Sequence, residues 1–128
     1  MINDIKKDAE GSFFIELENI YFDLDKSVIK PQAAQVLDVL IALLKKYPYM
    51  EIEIGAHTDT RASDMYNLRL SNRRAASALE YLVQNGIERK RLRSIGYGET
   101  RPLIICPKND CTEAEHGINR RCTFRIIK

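Results

Sequence analysis

No run of apolar residues in this chain is long enough to cross a bilayer. The longest, Val36 to Leu44, is interrupted by Asp38 and falls far short of the ~20 residues a spanning helix needs. An excess of charge of one sign is missing too. Twenty basic residues face 18 acidic ones, for a net charge of +2. That balance gives no strong pull toward nucleic acid or an anionic membrane. The opening Met1-Ile2-Asn3-Asp4-Ile5-Lys6-Lys7-Asp8 lacks the apolar core of an export leader. Two expectations stand at this point: a cytosolic protein, or a piece of a longer exported chain. Cysteine is scarce and odd in number. Cys106, Cys111 and Cys122 leave at least one thiol outside any intramolecular pair.

What is present fits one globular domain. The 128 residues are an ordinary domain length. A hydrophobic content of 45% supplies a core, and 30% charge suits a soluble surface. Residues 1–11 are polar and read as a lead or linker, with the domain at 12–128. Phe13 to Phe22 reads as extended, with alternation clearest from Phe13 to Leu17. A polar loop, 23–30, precedes Pro31, which suits the first helical position.

The spacing predicts a helix over 32–47, with Val36, Leu37, Leu40, Ile41 and Leu44 as one apolar stripe. Lys45 and Lys46 complement its last turn, and Pro48 stops it. Met50 to Ile54 alternates as a second strand reaching His57. After a loop over 58–63, a second helix is predicted over about 64–85. Ala75, Leu79, Leu82 and Val83 form its buried stripe, and Gly86 is a left-handed stop. A third strand over 92–97, a long loop over 98–118 and a final strand over 122–127 complete the chain. The order β-α-β-α-β-β implies an α/β two-layer sandwich, a mixed sheet with helices packed on one face.

The second helix carries a polar group of a different kind. Asn67, Leu70, Ser71 and Arg74 stand at i, i+3, i+4 and i+7 and share one stripe. The loop Thr58-Asp59-Thr60 leaves the carboxyl end of the second strand, where ligands gather in open α/β sheets. Asp59 and Arg74 are therefore expected to face one crevice. A carboxylate accepts from an ammonium, and a guanidinium fork grips a carboxylate bidentately. Together they suit a zwitterionic amino-acid head group. The competing reading is a structural ion pair between Asp59 and Arg74.

Other features invite other chemistry. Cys106, Cys111, His116 and Cys122 can be drawn as a zinc site, but the spacing is loose, and Cys122 opens an alternating strand as a small buried hydrophobe would. His57 beside Asp59, with His116, is the basis for a metal-assisted hydrolase, yet no third ligand or nucleophile accompanies the pair. Arg61, Arg69, Arg73, Arg74, Arg89, Arg91 and Arg93 are interleaved with acids and read as solvated faces rather than a nucleic-acid surface.

Several separated motifs fall in a fixed order. They are Tyr21-Phe22-Asp23-Leu24-Asp25-Lys26, Gly55-Ala56-His57-Thr58-Asp59, and Asn67-Leu68-Arg69-Leu70-Ser71-Asn72-Arg73-Arg74-Ala75. Gly86-Ile87, Arg91-Leu92, Gly96-Tyr97-Gly98-Glu99, Pro102 and Asn119-Arg120-Arg121 follow. Over about residues 14–127 this pattern resembles the OmpA-like peptidoglycan-binding domain, also found in peptidoglycan-associated lipoproteins and stator proteins. Ala56 and Ala62 stand where glycine is common in that family.

The resemblance implies a non-enzymatic module without cofactor or metal. It implies binding of peptidoglycan through the diaminopimelate of the peptide stem, anchoring an envelope protein to the cell wall. Asp59 would take the ammonium of diaminopimelate and Arg74 its carboxylate. Leu24 and Asp25 would line the pocket from the first loop, Thr58, Asn67 and Leu70 would complete its walls, and Arg120 would lie near. The implied location is the periplasm, with the parent protein associated with the outer membrane. There Cys106 and Cys111 are expected to form a disulfide, contributing about 2 kcal/mol in the chain-entropy model. The alternative within this fold is a protein-interaction domain that binds no ligand.

Overall fold

The computed structural model describes residues 5–7, 13–15, 20–21, 29–101, 105–106 and 110–127. Six strands and three α-helices occur among them: β1 (Ile5–Lys7), β2 (Phe13–Ile15), β3 (Ile20–Tyr21), α1 (Pro31–Lys46), β4 (Ile52–His57), α2 (Asp64–Gln84), β5 (Leu92–Gly98), α3 (Glu113–Asn119) and β6 (Arg121–Ile126). No helix among the described residues is long and apolar enough to cross a membrane.

The sheet runs β1-β2-β6-β4-β5, with β3 also paired to β6. β4 and β5 are parallel, as the intervening α2 crossover requires, while β6 is antiparallel to β2, β3 and β4. The sheet is therefore mixed, as expected. The last strand inserts between the N-terminal strands and β4, so the α1 crossover does not join neighbouring parallel strands. Two further details differ from the sequence reading. The extended run 13–22 divides into β2 and β3, and Ile5–Lys7, inside the presumed lead, pairs with β2.

Strand β4 shows why the layers assemble. Its alternate residues Ile52, Ile54 and Ala56 enter the core with Leu37, Leu40 and Leu44 of α1 and Ala75, Ala78 and Leu82 of α2. Glu53, Gly55 and His57 point to the opposite face. There Glu53 accepts from the Tyr97 hydroxyl and from Arg125. α1 begins on Pro31 as expected and ends with Lys45 and Lys46. Its last carbonyls find a partner far along the chain. Arg91 donates to Leu44 O at 2.7 Å, Tyr47 O at 2.8 Å and Met50 O at 3.0 Å. Arg91 is thus a helix cap from outside the helix, satisfying orphan acceptors that water would otherwise serve.

α2 opens on Ser63, whose hydroxyl accepts from Tyr66 N, and closes before Gly86, whose φ of 98° confirms the left-handed stop. Its central turns lie directly against β5. Ser71 Oγ accepts from Gly98 N at 2.9 Å, and Asn72 Oδ1 accepts from Gly96 N at 3.0 Å. These side chains satisfy N–H groups on a sheet edge that a neighbouring strand would otherwise seek. The approach is possible because residue 96 has no side chain. A Cβ there would fall on the Asn72 backbone nitrogen and on Ser71 Oγ. Gly96→Ala is expected to lower stability by about 1–3 kcal/mol, the usual range for overpacking, read from the urea denaturation midpoint. An unchanged midpoint would show that α2 is not seated on β5 in this way.

Candidate functional site

The polar stripe of α2 and the carboxyl end of β4 meet at one cavity. Its volume is about 190 Å³, and it is walled by Thr58, Asp59, Asn67, Leu70, Arg74 and Arg120, with Arg61 and Ala62 at the loop side. Six of the residues expected at the site are thus brought together. Leu24 and Asp25 lie outside the described residues.

Strand β4 delivers the acid. Its register against β5 shifts between Ala56 and His57, and Thr58 N donates to Gly98 O at 2.9 Å. This bond carries the chain one step past the strand before it turns. Asp59 follows, 4% exposed. Its Oδ1 accepts from the backbone N–H of Arg61 at 3.1 Å. Its Oδ2 accepts from Arg61 Nη2 at 2.9 Å and Arg120 Nη1 at 3.0 Å. Burial pushes the carboxyl up, but these hydrogen bonds outweigh it and hold Asp59 at about 2. Asp59 is an anion at any physiological pH.

Arg74 comes from α2 and is fully buried, one of the largest such side chains in the protein. Its Nη1 lies 3.5 Å from His57 O, at the long limit of a hydrogen bond. Asn67 fastens the first turn of α2 to both sides of the cavity. Its amide donates to Ala62 O at 3.2 Å and to Glu99 Oε1 at 2.9 Å. Leu70 supplies an apolar wall between Asn67 and Arg74. The cavity therefore carries a buried carboxylate, a buried guanidinium and a short apolar surface, on elements fixed by the sheet.

Two contributors escaped the sequence reading. Arg61, placed there among solvated arginines, reaches from Asp59 to Glu113. Glu113 belongs to α3, a helix inside the segment read as loop. The signal was present in the pattern Thr112-x-x-Glu115. Thr112 Oγ1 accepts from Glu115 N, and Glu115 Oε1 accepts from Thr112 N, a complete capping box. Arg120 ends the same helix and donates to Asp59 and, at 3.0 Å, to Glu113. Its observed work is to hold Asp59.

The rival chemistries lose their residues. A disulfide joins Cys106 and Cys111, and Cys122 is buried, its thiol pushed up to about 12 by burial. No group of three or more His, Cys, Asp or Glu among the described residues is arranged to hold a metal. His57 does not line the cavity. Its ring stacks on Tyr97, centroids 5.2 Å apart, and its Nε2 lies 3.1 Å from Thr123 Oγ1. Burial, followed by the charges of Arg121 and Arg101, brings His57 down to about 3.

This last shift has a defined consequence for stability. Unfolded His57 takes a proton near its ordinary 6.5, whereas the folded ring stays neutral down to about 3. Between these values the unfolded state binds more protons, so stability falls as pH falls through this window, by about 1.4 kcal/mol per unit at most. His57→Gln should flatten that portion of the stability–pH curve relative to wild type, measured by urea denaturation from pH 7 to 4. Parallel curves for the two proteins would contradict the buried neutral histidine.

Comparisons with known proteins agree with this architecture. The profile of the OmpA family matches residues 21–115. A peptidoglycan-associated lipoprotein of Brucella melitensis is 39% identical over 94 residues, which are 73% of this chain and 56% of the lipoprotein. Outer membrane porin F of Pseudomonas fluorescens is 38% identical over 107 residues, 84% of this chain and 31% of the porin. The chain thus spans about half of the lipoprotein and a third of the porin. The crystal structure of the peptidoglycan-associated lipoprotein from Burkholderia pseudomallei superposes with a TM-score of 0.77 at 27% identity, covering 84% of this chain and 88% of that one.

Proposed function

This chain belongs to the OmpA family, and from that premise we propose that it binds peptidoglycan without covalent chemistry, through the diaminopimelate of the peptide stem. The observation that carries the reading is the pairing of opposite charges across one small cavity, Asp59 on one wall and Arg74 on another. The free end of a stem diaminopimelate has an ammonium and a carboxylate on one carbon. Asp59 receives the ammonium and Arg74 the carboxylate.

The capacity of Asp59 supports this role. A carboxylate has about four acceptor positions. Arg61 N, Arg61 Nη2 and Arg120 Nη1 occupy three. The ammonium takes the remaining one, and Asp59 reaches the ligand already ionised and held in place. Preorganisation of this kind reduces the ordering cost of binding. Leu70 meets the methylene chain, and Thr58 and Asn67 supply the polar walls. The wall-binding unit in this reading is residues 12–128, with β1 of the preceding segment added to its sheet. Its parent protein is associated with the outer membrane, and the domain works in the periplasm as an anchor to the wall.

Co-sedimentation with purified diaminopimelate-type sacculi tests the assignment. Wild-type protein is expected in the pellet. Asp59→Asn removes the charge and Arg74→Lys removes the planar fork, and each should weaken binding by roughly 30-fold or more, the usual cost of breaking a buried charged contact. Circular dichroism must show both variants folded. Folded variants that sediment like wild type would remove both residues from the ligand site.

A further inference from the structure

Glu113 stands at the start of α3 with its side chain 63% exposed. One of its carboxylate oxygens receives Arg61 and the other receives Arg120 at 3.0 Å. These are the two arginines that hold Asp59. Two guanidinia and two carboxylates therefore close a ring, with Asp59 as its buried member and Glu113 as its outer one.

The position of Glu113 is fixed locally. The Thr112–Glu115 capping box sets the first turn of α3. The Cys106–Cys111 disulfide ends one residue before that cap. Asn119, at the other end of the short helix, places its amide nitrogen 3.9 Å from Cys106 Sγ. A flexible surface glutamate would supply a diffuse charge. This one supplies a charge at a set place.

The sharing shows what it does. Arg61 and Arg120 divide their positive charge between Asp59 and Glu113. Without Glu113 the site is more positive by one unit, and both shared arginines bear on Asp59 alone. An incoming ammonium would then be repelled, while a ligand bearing only a carboxylate would be favoured. Resting on the function proposed above, we infer that Glu113 is a specificity-determining residue: it draws Arg61 and Arg120 outward and so makes the cavity select a zwitterionic head group over a plain carboxylate.

Glu113→Gln tests this, because it keeps the shape and one acceptor oxygen while it removes the charge and turns the other oxygen into a donor that no longer accepts from a guanidinium. Wild type and variant are titrated calorimetrically with two synthetic stem peptides. One contains diaminopimelate. In the other the side-chain amine is replaced by hydrogen and the carboxylate is kept. Wild type should prefer the first peptide, and the ratio of the two Kd values should shrink roughly three- to fivefold in Glu113→Gln, the upper range for an exposed charge pair. A purely structural role would weaken both peptides together and leave the ratio unchanged. An unchanged ratio, or a wild type that binds both peptides equally, overturns the inference while the wall-binding reading stands. A folded wild type that binds neither peptide overturns that reading and this inference with it.

Discussion

Asp59 is a carboxylate taken out of water, and the site is arranged around what that requires. A buried charge without partners is expensive enough to change its protonation or to unfold its surroundings. Here Arg61 and Arg120 supply the partners, from a loop two residues away and from a helix end 61 residues away. The second of these makes α3 and β6 part of the site. It also ties the middle of the chain to its C-terminal end across the cavity. The result is an anion with a fixed direction at the mouth of β4, ready to meet a cation.

Buried ion pairs are weak stabilisers, because desolvation offsets much of their attraction. A domain of this size could close the same space with apolar side chains. The arginines and the acid instead surround an open cavity, where their charges can act on a ligand. The same economy appears on the far face of the sheet. There His57 stays neutral, stacked on Tyr97, and helps hold the strand end that presents Asp59.

The elements that position the site were mostly legible in the sequence because local rules decide them. α1 and α2 follow from their apolar stripes, Pro31 and Gly86, and β4 from its alternation. The stripe Asn67, Leu70, Ser71, Arg74 announced a polar helix face, and the strand-end rule brought Asp59 to it. The sheet order was not legible. Insertion of β6 between β4 and the N-terminal strands is a choice among long-range pairings, and no local pattern encodes it. α3 was hidden by Gly98, Pro102, Pro107 and Gly117 in its segment, although its capping box was written out. Arg61 looked like any surface arginine, because its meaning depends on Glu113 52 residues away. Ser71 shares the spacing of the cavity stripe, but its hydroxyl donates to Leu68 O and accepts from Gly98 N at the edge of β5. Resemblance to the OmpA family supplied the ligand, which charge pairing alone narrowed only to a zwitterion.

The central claim is that the cavity reads an ammonium and a carboxylate on one carbon. Calorimetric titration of the wild-type chain with a diaminopimelate stem peptide, against the same peptide carrying lysine, tests it most directly. Lysine keeps the ammonium and lacks the second carboxylate, so it withdraws the group assigned to Arg74. Binding of the diaminopimelate peptide with little or none for the lysine peptide is the predicted result. Equal affinity for the two would contradict the account.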